Sequence, residues 1–407
     1  MRPVLCNYYV TYRCNAKCGF CDIWEQPSPL IDLADAARNL DDLRRIGVRV
    51  IDFTGGEPLL HPQLPDLLRM AKERGFLTTV TSNGLLYPKR AEALRGLVDL
   101  LHFSIDAPTA EEHDASRGVT CFGKLMESIE VALRIGERPD LLFTVTNESV
   151  RHLDTIYEQF ALPNKLILIV NPLFEYHGLG AELSDDVMAR MRTFAKQPYT
   201  YLNPAFLTLR ARGGNDPADP VCKAVSTTVV ISPFDELVLP CYHAGLEKLP
   251  IEGRLYDLWQ GDRVAYHREH EGRLEVCRGC TVNCYFEPSF ATQPTTGYFW
   301  EALPSKVRYS WTKFVVQRLR AKLAGPRTAS LPDFDTPSGD GAASGDGAPP
   351  RPVVRPVGRP PAPPVEMPAI SLPVLKSVPA RPPNAVPARP PSTASARPPA
   401  RRPKPGA

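Results

Sequence analysis

Apolar residues in about the first 170 positions of the chain occur in short blocks separated by longer amphipathic stretches. The blocks are rich in β-branched and aromatic residues, which favours strands, and the stretches between them carry apolar residues at helical spacing. Strands that alternate with helices in this way indicate βα units and a parallel sheet. The predicted strands cover residues 5–12, 48–54, 77–81, 100–105, 141–146 and 166–170. We therefore expect an α/β fold, a (βα)6 partial TIM-like barrel.

The clearest helical pattern covers residues 33–46. Leu33, Leu40 and Leu43 recur at the spacing that places side chains on one helix face. Asp32 precedes this run, and an aspartate carboxylate accepts hydrogen bonds from the backbone N–H groups that a first helical turn leaves without partners. The pattern predicts a helix that begins directly after Asp32.

Polar or glycine-rich residues follow several of the predicted strands. In parallel α/β sheets the carboxyl ends of the strands meet at one edge, and ligands bind there. We therefore expect these residues to lie together around one site. The residues concerned are Gly55, Gly56, Glu57, Pro58, Ser82, Asn83 and Ser104.

The second half of the chain has two further patterns. Residues 222–294 combine a β-like run at 227–232 with a dense cysteine block, which predicts a small module that depends on a metal. Residues 299–323 place Trp300, Trp311 and other apolar residues on one helical stripe, with Lys and Arg mostly elsewhere. This stripe predicts a basic amphipathic helix that either packs against the barrel or rests on an anionic membrane surface.

The tail, residues 325–407, has a different composition from the rest of the chain. It contains 23 of the 44 prolines and few large apolar residues, so we expect it to be disordered with polyproline character. It carries 11 Lys/Arg against 5 Asp/Glu, which leaves 37 basic and 40 acidic residues in the preceding 324. A body this close to neutral disfavours a nucleic-acid partner.

The sequence also bears on location and on the state of the cysteines. No stretch of about 18 apolar residues occurs, and the N-terminus lacks the apolar core of an export signal, so we expect a cytoplasmic protein. Thiols stay reduced in that compartment. Closely spaced cysteines are then more readily explained as metal ligands than as disulfides.

Three of the ten cysteines lie within eight residues: Cys14, Cys18 and Cys21. Three thiolates are one ligand short for a 4Fe-4S cluster, so one iron would stay open to another ligand. A structural zinc site would need a fourth ligand, which the loop offers only if Asp22 bends in. A zinc knuckle and a chance grouping are the alternatives to the cluster.

The segment CNAKCGFC, with Phe20 before its last cysteine, and the segment TGGEP resemble the radical S-adenosylmethionine (radical SAM) superfamily. The resemblance covers about residues 5–295. It implies an enzyme, an oxidoreductase, in which S-adenosylmethionine binds the open iron and is cleaved to a 5′-deoxyadenosyl radical that abstracts hydrogen from a substrate. By this resemblance the GGEP motif binds the ammonium group of the cofactor, and Ser104 contacts its carboxylate or ribose. Ser82 and Asn83 match a polar position on the third strand of the family. It also implies an electron donor such as flavodoxin or ferredoxin.

A second set of five cysteines follows: Cys222, Cys241, Cys277, Cys280 and Cys284. Its flanking sequences, VVISPFDELVLPCYHAG and GRLYDLW, are similar to the SPASM or twitch auxiliary-cluster extension. The chain departs from that pattern in having Glu236 where the family usually has Gly and five cysteines where a full SPASM domain has seven. The resemblance then implies one auxiliary 4Fe-4S cluster held by four of the five. A zinc site that uses Cys241 or His243 as the fourth ligand is the alternative.

These interpretations divide the chain into four segments: a barrel over 1–215, an auxiliary-cluster domain over 216–295, the amphipathic helix over 296–324 and the tail over 325–407.

The substrate stays open between a peptide, a lipid and a small molecule, and a lipid would suit contact of residues 300–323 with a membrane. The alternative function is that of a non-catalytic Fe-S or zinc protein that recruits partners through its proline-rich tail.

Overall fold

A ten-stranded sheet organises the part of the chain that the computed structural model describes, residues 2–174, 182–319 and 328–332. The strand order is β10-β9-β8-β1-β2-β3-β4-β5-β6-β7. All neighbours from β8 to β7 in this order are parallel, and β9 and β10 add an antiparallel hairpin at one edge. The strands are β1 Leu5–Thr11, β2 Val50–Gly55, β3 Leu77–Ser82, β4 Leu100–Ser104, β5 Asp140–Val145, β6 Leu168–Pro172, β7 Thr200–Tyr201, β8 Thr228–Ile231, β9 Glu236–Leu239 and β10 Glu247–Pro250.

Helices connect the strands. A π-helical segment, Tyr157–Ala161, joins α6 to α7, and a second one, Trp311–Gln317, continues α14. The α-helices are α1 Leu33–Ile46, α2 Leu64–Glu73, α3 Tyr87–Leu94, α4 Ala110–Arg117, α5 Phe122–Arg134, α6 Leu153–Ile156, α7 Leu162–Asn164, α8 Asp185–Phe194, α9 Ala205–Ala211, α10 Ala224–Thr227, α11 Leu255–Gln260, α12 Asp262–Glu269, α13 Asn283–Ala291 and α14 Gly297–Ser310.

The predicted partial barrel is confirmed. Each of the six predicted strands is present, with its ends shifted by at most two residues. Helix α1 has the predicted bounds, and the Asp32 carboxylate accepts hydrogen bonds from the backbone N–H groups of Ala34 and Asp35. The short strand β7 and the parallel pairing of β8 with β1 were not predicted, because a two-residue strand has no periodicity and partner choice is a tertiary property.

The strands alternate between two environments. Tyr8, Phe53, Phe103 and Phe143 are fully buried in one core together with the apolar faces of the surrounding helices. Residues one position away, such as Asp52 on β2, point to the opposite face of the sheet, since successive strand side chains alternate. The sheet therefore has an apolar outer face under the helices and an inner face that carries polar groups.

Helix α14 buries Tyr298 and Ala302 in an apolar cluster with Phe290, whereas its π-helical continuation is anchored by polar residues. Lys313 and Gln317 are buried, whereas Trp300 and Trp311 are exposed. The expectation that the apolar stripe packs against the barrel is therefore wrong for most of the stripe, since polar anchors decide the orientation of the helix. Of the predicted helix 299–323 the structure describes residues up to 319, and of the tail it describes only 328–332, so the predicted disorder of the tail lies outside the described residues.

None of the helices in the described ranges is long and apolar enough to cross a membrane.

Candidate functional site

The three cysteines of the first set lie in the loop that follows β1, at the carboxyl edge of the sheet. Their thiols are close enough to raise one another's pKa, although burial is the larger cause. Burial raises the pKa of Cys14 to about 11 and that of Cys21 to about 12. The thiols therefore stay protonated at neutral pH until a metal displaces the protons. The three predicted ligands are therefore neighbours in one loop, and their role as ligands stays a prediction.

The cysteine loop is held by the end of α4. The backbone N–H of Lys17 donates to the carbonyl of Arg117 (2.8 Å), and that of Gly19 donates to the carbonyl of Ser116 (3.3 Å). Gly118, with φ +62°, lies so close to the loop that a Cβ there would be 2.6 Å from the carbonyl oxygen of Lys17. The loop therefore rests on a helix end that is about 100 residues away in the sequence.

Arg117 is a site residue that the sequence analysis missed. Its side chain is buried, its Nη1 donates to Sγ of Cys18 (3.7 Å), and its Nε lies 2.7 Å from Oδ2 of Asp106 at the end of β4. Its guanidinium also lies 5.8 Å from the ring centre of Phe20, one of the predicted cofactor-binding residues. An arginine in a polar helix has no distinguishing local signal, so only the tertiary structure reveals this role.

Gly55 and Gly56 are required by the packing of the chain against itself. A Cβ at Gly55, where φ is +150°, would lie 1.9 Å from the carbonyl oxygen of Thr11, and one at Gly56 would lie 2.4 Å from the carbonyl oxygens of Tyr12 and Arg13. The N–H of Gly56 donates to Thr11 (3.0 Å) and that of Glu57 to Arg13 (2.9 Å). The glycines thus fasten the GGEP motif to the start of the cysteine loop.

Glu57 joins the ends of β2 and β3. Its buried carboxylate accepts hydrogen bonds from the N–H of Leu59 (3.0 Å), the hydroxyl of Ser82 (3.0 Å) and the N–H of Asn83 (2.9 Å). Burial raises the pKa of Glu57 to about 7, because desolvation outweighs these three donors. Pro58 follows at the first position of a short 3-10 turn, which the Glu57 carboxylate also caps.

Asn83 extends this network to the cysteine loop. Its side-chain amide nitrogen donates to Oδ1 of Asn15, between Cys14 and Cys18 (2.8 Å). Ser104 is nearly buried at the end of β4, two residues before Asp106. Beside Cys14, a cleft of about 660 Å³ opens between Arg13, Trp24, Gln26, Ser28 and Phe234. All of the predicted first-site residues therefore lie at the carboxyl ends of β1 to β4.

The donor set at this edge fits the group that the sequence predicts. Three thiols from one loop match three irons of a 4Fe-4S cluster, and a guanidinium donor to one sulfur is a means by which proteins tune such a cluster. Among the described residues, which include all ten cysteines, no three His, Cys, Asp or Glu side chains converge to hold a single metal ion.

Asn215, another residue that the sequence analysis missed, connects three cysteines of the second set. Its side-chain nitrogen donates to the carbonyls of Gly272 (2.7 Å) and Cys277 (3.2 Å), and its Oδ1 accepts from the N–H of Cys222 (3.3 Å). Its backbone N–H donates to Cys280 (3.0 Å). Asn215 thereby holds the segments that carry three of the five cysteines. The GGN triplet before Cys222 is the sequence signal that could have indicated this turn.

Burial raises the pKa of all five thiols in this set, and neighbouring thiols raise the pKa of every one except Cys277 further. Burial is the larger cause, and Cys241, Cys277 and Cys280 each raise the pKa of Cys222 further. Burial likewise raises the pKa of Cys284, and Cys241, Cys280 and Asp52 add to it. The five cysteines of the second set are therefore neighbours in the fold, as Cys222 and Cys284 each respond to the thiols of Cys241 and Cys280.

Aromatic side chains connect the two cysteine sets. Tyr242, next to Cys241, stacks on Tyr9 of β1 with 4.4 Å between ring centres, and its hydroxyl accepts from the side chain of Gln26 (3.3 Å). The backbone N–H of Tyr242 donates to the hydroxyl of Tyr285 (2.8 Å), next to Cys284. Apolar contacts of this kind pack the hairpin β9-β10 region against the cysteine loop.

The chain has Glu236 at the position where the SPASM pattern usually has glycine. The residue with a left-handed backbone at this turn is the preceding one. Asp235 has φ +56° at the turn between β8 and β9. The Glu236 carboxylate accepts a hydrogen bond from the hydroxyl of Ser232 (2.9 Å). The turn therefore forms without a glycine at position 236.

Comparison with curated proteins gives partial matches to enzymes. The chain is 37% identical over 108 residues to the GTP 3′,8-cyclase of Chlorobaculum tepidum, which is 25% of this chain and 33% of that enzyme. It is 30% identical over 179 residues to the AdoMet-dependent heme synthase of Methanosarcina barkeri, 42% of this chain and 50% of that enzyme. The chain thus spans a third to a half of the length of these relatives.

Solved structures share the fold at low sequence identity. SuiB of Streptococcus suis bound to its precursor peptide SuiA has a TM-score of 0.55 and 19% identity over 68% of this chain and 71% of that chain. The structure described as native anSMEcpe with bound AdoMet and a Cp18Cys peptide has a TM-score of 0.52 and 15% identity over 79% of this chain and 99% of that chain.

Residues 8–160 match the radical SAM superfamily, and this range contains the cysteine triad, GGEP, Ser82, Asn83 and Ser104. The geometry at the carboxyl ends of β1 to β4 and the two comparisons agree with that match. Residues 8–160 of this chain are therefore a radical SAM domain.

Proposed function

We propose that this chain is a radical SAM enzyme that cleaves S-adenosylmethionine reductively and uses the resulting radical to abstract hydrogen from a substrate. The observation that carries the proposal is the cysteine loop, in which three thiols are held together against Arg117, Gly56 and Asn83. When bound at this loop, a 4Fe-4S cluster would supply the electron that cleaves the sulfonium to methionine and a 5′-deoxyadenosyl radical.

The chain's own residues would hold and orient these groups. Cys14, Cys18 and Cys21 would bind three irons, and the backbone of the GGEP motif lies beside them at the end of β2, where the family places the ammonium group of the cofactor. Glu57 would help to position this motif, because its carboxylate accepts hydrogen bonds from residues at the ends of β2 and β3. Ser104 would contact the carboxylate or ribose from β4, and Phe20 lies at the rim of the loop.

We also propose a SPASM-like auxiliary 4Fe-4S cluster, held by four of Cys222, Cys241, Cys277, Cys280 and Cys284. Asn215 supports it by holding the segments of Cys222, Cys277 and Cys280 together. An auxiliary cluster joined to the first site through Tyr9 and Tyr242 would serve as an electron acceptor or as an anchor for the substrate. The electron donor to the first cluster would be a small redox protein such as flavodoxin or ferredoxin.

The structure gives no support to a lipid substrate delivered through the amphipathic helix. That helix is anchored on Asp140, the first residue of β5, and on Lys165, which precedes β6. The cysteine triad follows the last residue of β1. The helix and the triad are therefore at opposite ends of the parallel strands.

The test is anaerobic reconstitution of the wild type and of a variant with Cys14, Cys18 and Cys21 changed to Ala. We expect about eight irons in the wild type and about four in the variant. The wild type should form 5′-deoxyadenosine after reduction with S-adenosylmethionine, and the variant should form none.

Cys121→Ala is the matched control, since this buried cysteine lies near Cys18 and outside the triad. It should keep both the iron and the cleavage. Wild-type protein that binds iron and releases no 5′-deoxyadenosine would contradict the proposed activity. About four irons together with zinc would contradict the auxiliary cluster alone.

A further inference from the structure

The apolar stripe of the C-terminal helix points away from the protein. Trp300 is 62% exposed, Val307 59%, Trp311 61% and Leu319 54%, far above the exposure expected of residues that belong to a core. They recur at intervals of four to eight residues, so they lie along one face of α14 and its π-helical continuation. We refer to these four residues as the outer stripe. Contiguous exposed apolar surface on a soluble domain marks an interaction site.

Polar anchors on the opposite face fix this orientation. The Lys313 ammonium lies 2.8 Å from Oδ1 of Asp140, and the hydroxyl of Tyr309 donates to its Oδ2 (2.7 Å). One turn further on, the side-chain amide of Gln317 donates to the carbonyl of Lys165 (3.0 Å). Because these buried contacts would be lost if the helix rotated, the outer stripe cannot turn inward to cover itself.

The outer stripe borders a shallow groove. Val307, Trp311, Phe314 and Val315 line a depression of about 410 Å³ together with the stem of Lys306. The ammonium of Lys306 forms an ion pair with Glu287, so its methylenes can cover apolar surface at the groove. The groove is therefore mainly apolar.

The segment that carries the outer stripe is basic in sequence. Residues 302–332 contain no Asp or Glu, and they contain the basic residues Lys306, Arg308, Lys313, Arg318, Arg320, Lys322 and Arg327. Lys306 and Lys313 form ion pairs with Glu287 and Asp140 of the protein. Arg308 and Arg318 are exposed on the helix, where Arg308 also donates to the carbonyls of Ala195 and Thr200 and Arg318 lies 3.8 Å from Asp99. A helix with aromatic and aliphatic residues on one face and cations beside them has the composition that binds the interface of an anionic bilayer.

We propose that the outer stripe binds the surface of an anionic lipid bilayer, with the helix lying in the plane of the headgroups. Trp300 and Trp311 would enter the headgroup region, where amphipathic aromatic rings are most favourable. Arg318, whose side chain is 59% exposed, would contact lipid phosphates. The proposal does not rest on the proposed enzymatic function, since the outer stripe and the cysteine triad lie at opposite ends of the strands.

Charge favours a bilayer over two protein occupants. A second copy of the chain, docked helix to helix, would place basic segments against each other, which costs free energy. The chain's own tail, with 11 Lys/Arg against 5 Asp/Glu over residues 325–407, would do the same. An anionic surface instead gains from each nearby Lys or Arg.

The test is flotation of the full-length protein with vesicles of phosphatidylcholine alone or mixed with phosphatidylglycerol. We expect flotation with the mixed vesicles, loss of binding at high salt and a blue shift of tryptophan emission. Trp300→Ser, Val307→Ser and Trp311→Ser combined should lower the vesicle affinity at least about tenfold. Trp300→Phe with Trp311→Phe should retain most of it, since both substitutions preserve the apolar area.

Leu162→Ser is the matched control, because Leu162 is an exposed leucine outside the outer stripe and should leave flotation unchanged. Wild-type protein that stays in the bottom fraction would overturn the proposal. Flotation of the triple Ser variant equal to that of the wild type would also overturn it and would assign vesicle binding to the tail. A concentration-dependent dimer that the triple variant abolishes, without any vesicle binding, would identify a second copy as the occupant. Cleavage of S-adenosylmethionine by the triple variant should match the wild type, which separates this result from the proposed function.

Discussion

Arg117 donates a hydrogen bond to Sγ of Cys18 across 3.7 Å and forms an ion pair with Asp106 across 2.7 Å. A buried cation therefore lies directly against one of the three predicted iron ligands. Because Arg117 is buried away from water, its positive charge acts strongly on Sγ of Cys18. Hydrogen bonds and charge at the sulfurs are among the factors that set the potential of an iron-sulfur cluster.

We expect Arg117→Gln to lower the midpoint potential of the first cluster, because the reduced cluster loses a stabilising positive charge. The substitution should also cost about 3–5 kcal/mol of unfolding free energy, since it leaves Asp106 buried without its partner. Redox titration followed by electron paramagnetic resonance measures the potential, and urea denaturation measures the stability.

The double variant Arg117→Gln with Asp106→Asn separates these two effects. It removes the uncompensated carboxylate and should recover much of the stability, and its potential should lie between those of Arg117→Gln and the wild type. An unchanged potential in both variants would show that Arg117 acts only on the fold. Arg151→Gln, which removes an exposed ion pair with Glu112, is the control and should change neither quantity.

Gly56→Ala is expected to disrupt the first site. The new methyl group would lie 2.4 Å from two carbonyl oxygens of residues 12 and 13, so the start of the cysteine loop must move. We expect a loss of at least about 2 kcal/mol in stability and of the iron bound by the triad. Thermal denaturation and iron analysis measure both. Gly19→Ala, where a Cβ meets no atom within 4 Å, is the control inside the same loop.

The buried carboxyl of Glu57 should make stability depend on pH. Its pKa is raised from 4.5 to about 7, so the folded apoprotein binds more protons than the unfolded chain between these values. Its contribution is then fully present below about pH 4.5 and is lost as pH rises through 7. Between pH 5 and pH 8 the stability of the wild type should fall by about 2–3 kcal/mol relative to Glu57→Gln.

Urea denaturation of the two apoproteins at both pH values measures this difference. A constant difference would mean that Glu57 is ionised in the fold throughout the range. Ser82→Ala, which removes one donor to the Glu57 carboxylate, should move the pH dependence to a higher range.

Asn215→Ala should lower the iron bound by the second cysteine set and leave the iron bound by the first set unchanged. It removes two donor bonds and one acceptor bond that position the segments of Cys222 and Cys277. We expect reconstituted protein to lose about four of about eight irons and to keep the triad's cluster. Iron and sulfide analysis measures the loss, and Asp216→Asn, at the exposed neighbouring position, is the control. Full iron content in the Asn215 variant would show that the auxiliary ligands need no such positioning.

Local chemistry made much of this protein predictable from its sequence. The helix after Asp32 and the strands around Phe53 and Phe103 follow from capping and from short apolar runs, which depend on neighbouring residues only. The cysteine triad and GGEP are equally local, because both motifs lie on single loops. Their meeting at one edge follows from the parallel sheet, in which all carboxyl ends point the same way.

Only the tertiary structure decided which distant residues complete these features. Arg117 reaches Cys18 across 99 positions, and Asn215 reaches Cys277 across 62, and neither has a pattern in its own neighbourhood that predicts its partner. The direction of the outer stripe likewise depends on Asp140, which binds Lys313 from 173 positions away. The sequence by itself determined the elements, the triad and the amphipathic helix, because local spacing encodes them. The buried partners and the exposed face were decided by folding, because burial and ion pairing depend on which elements meet in space.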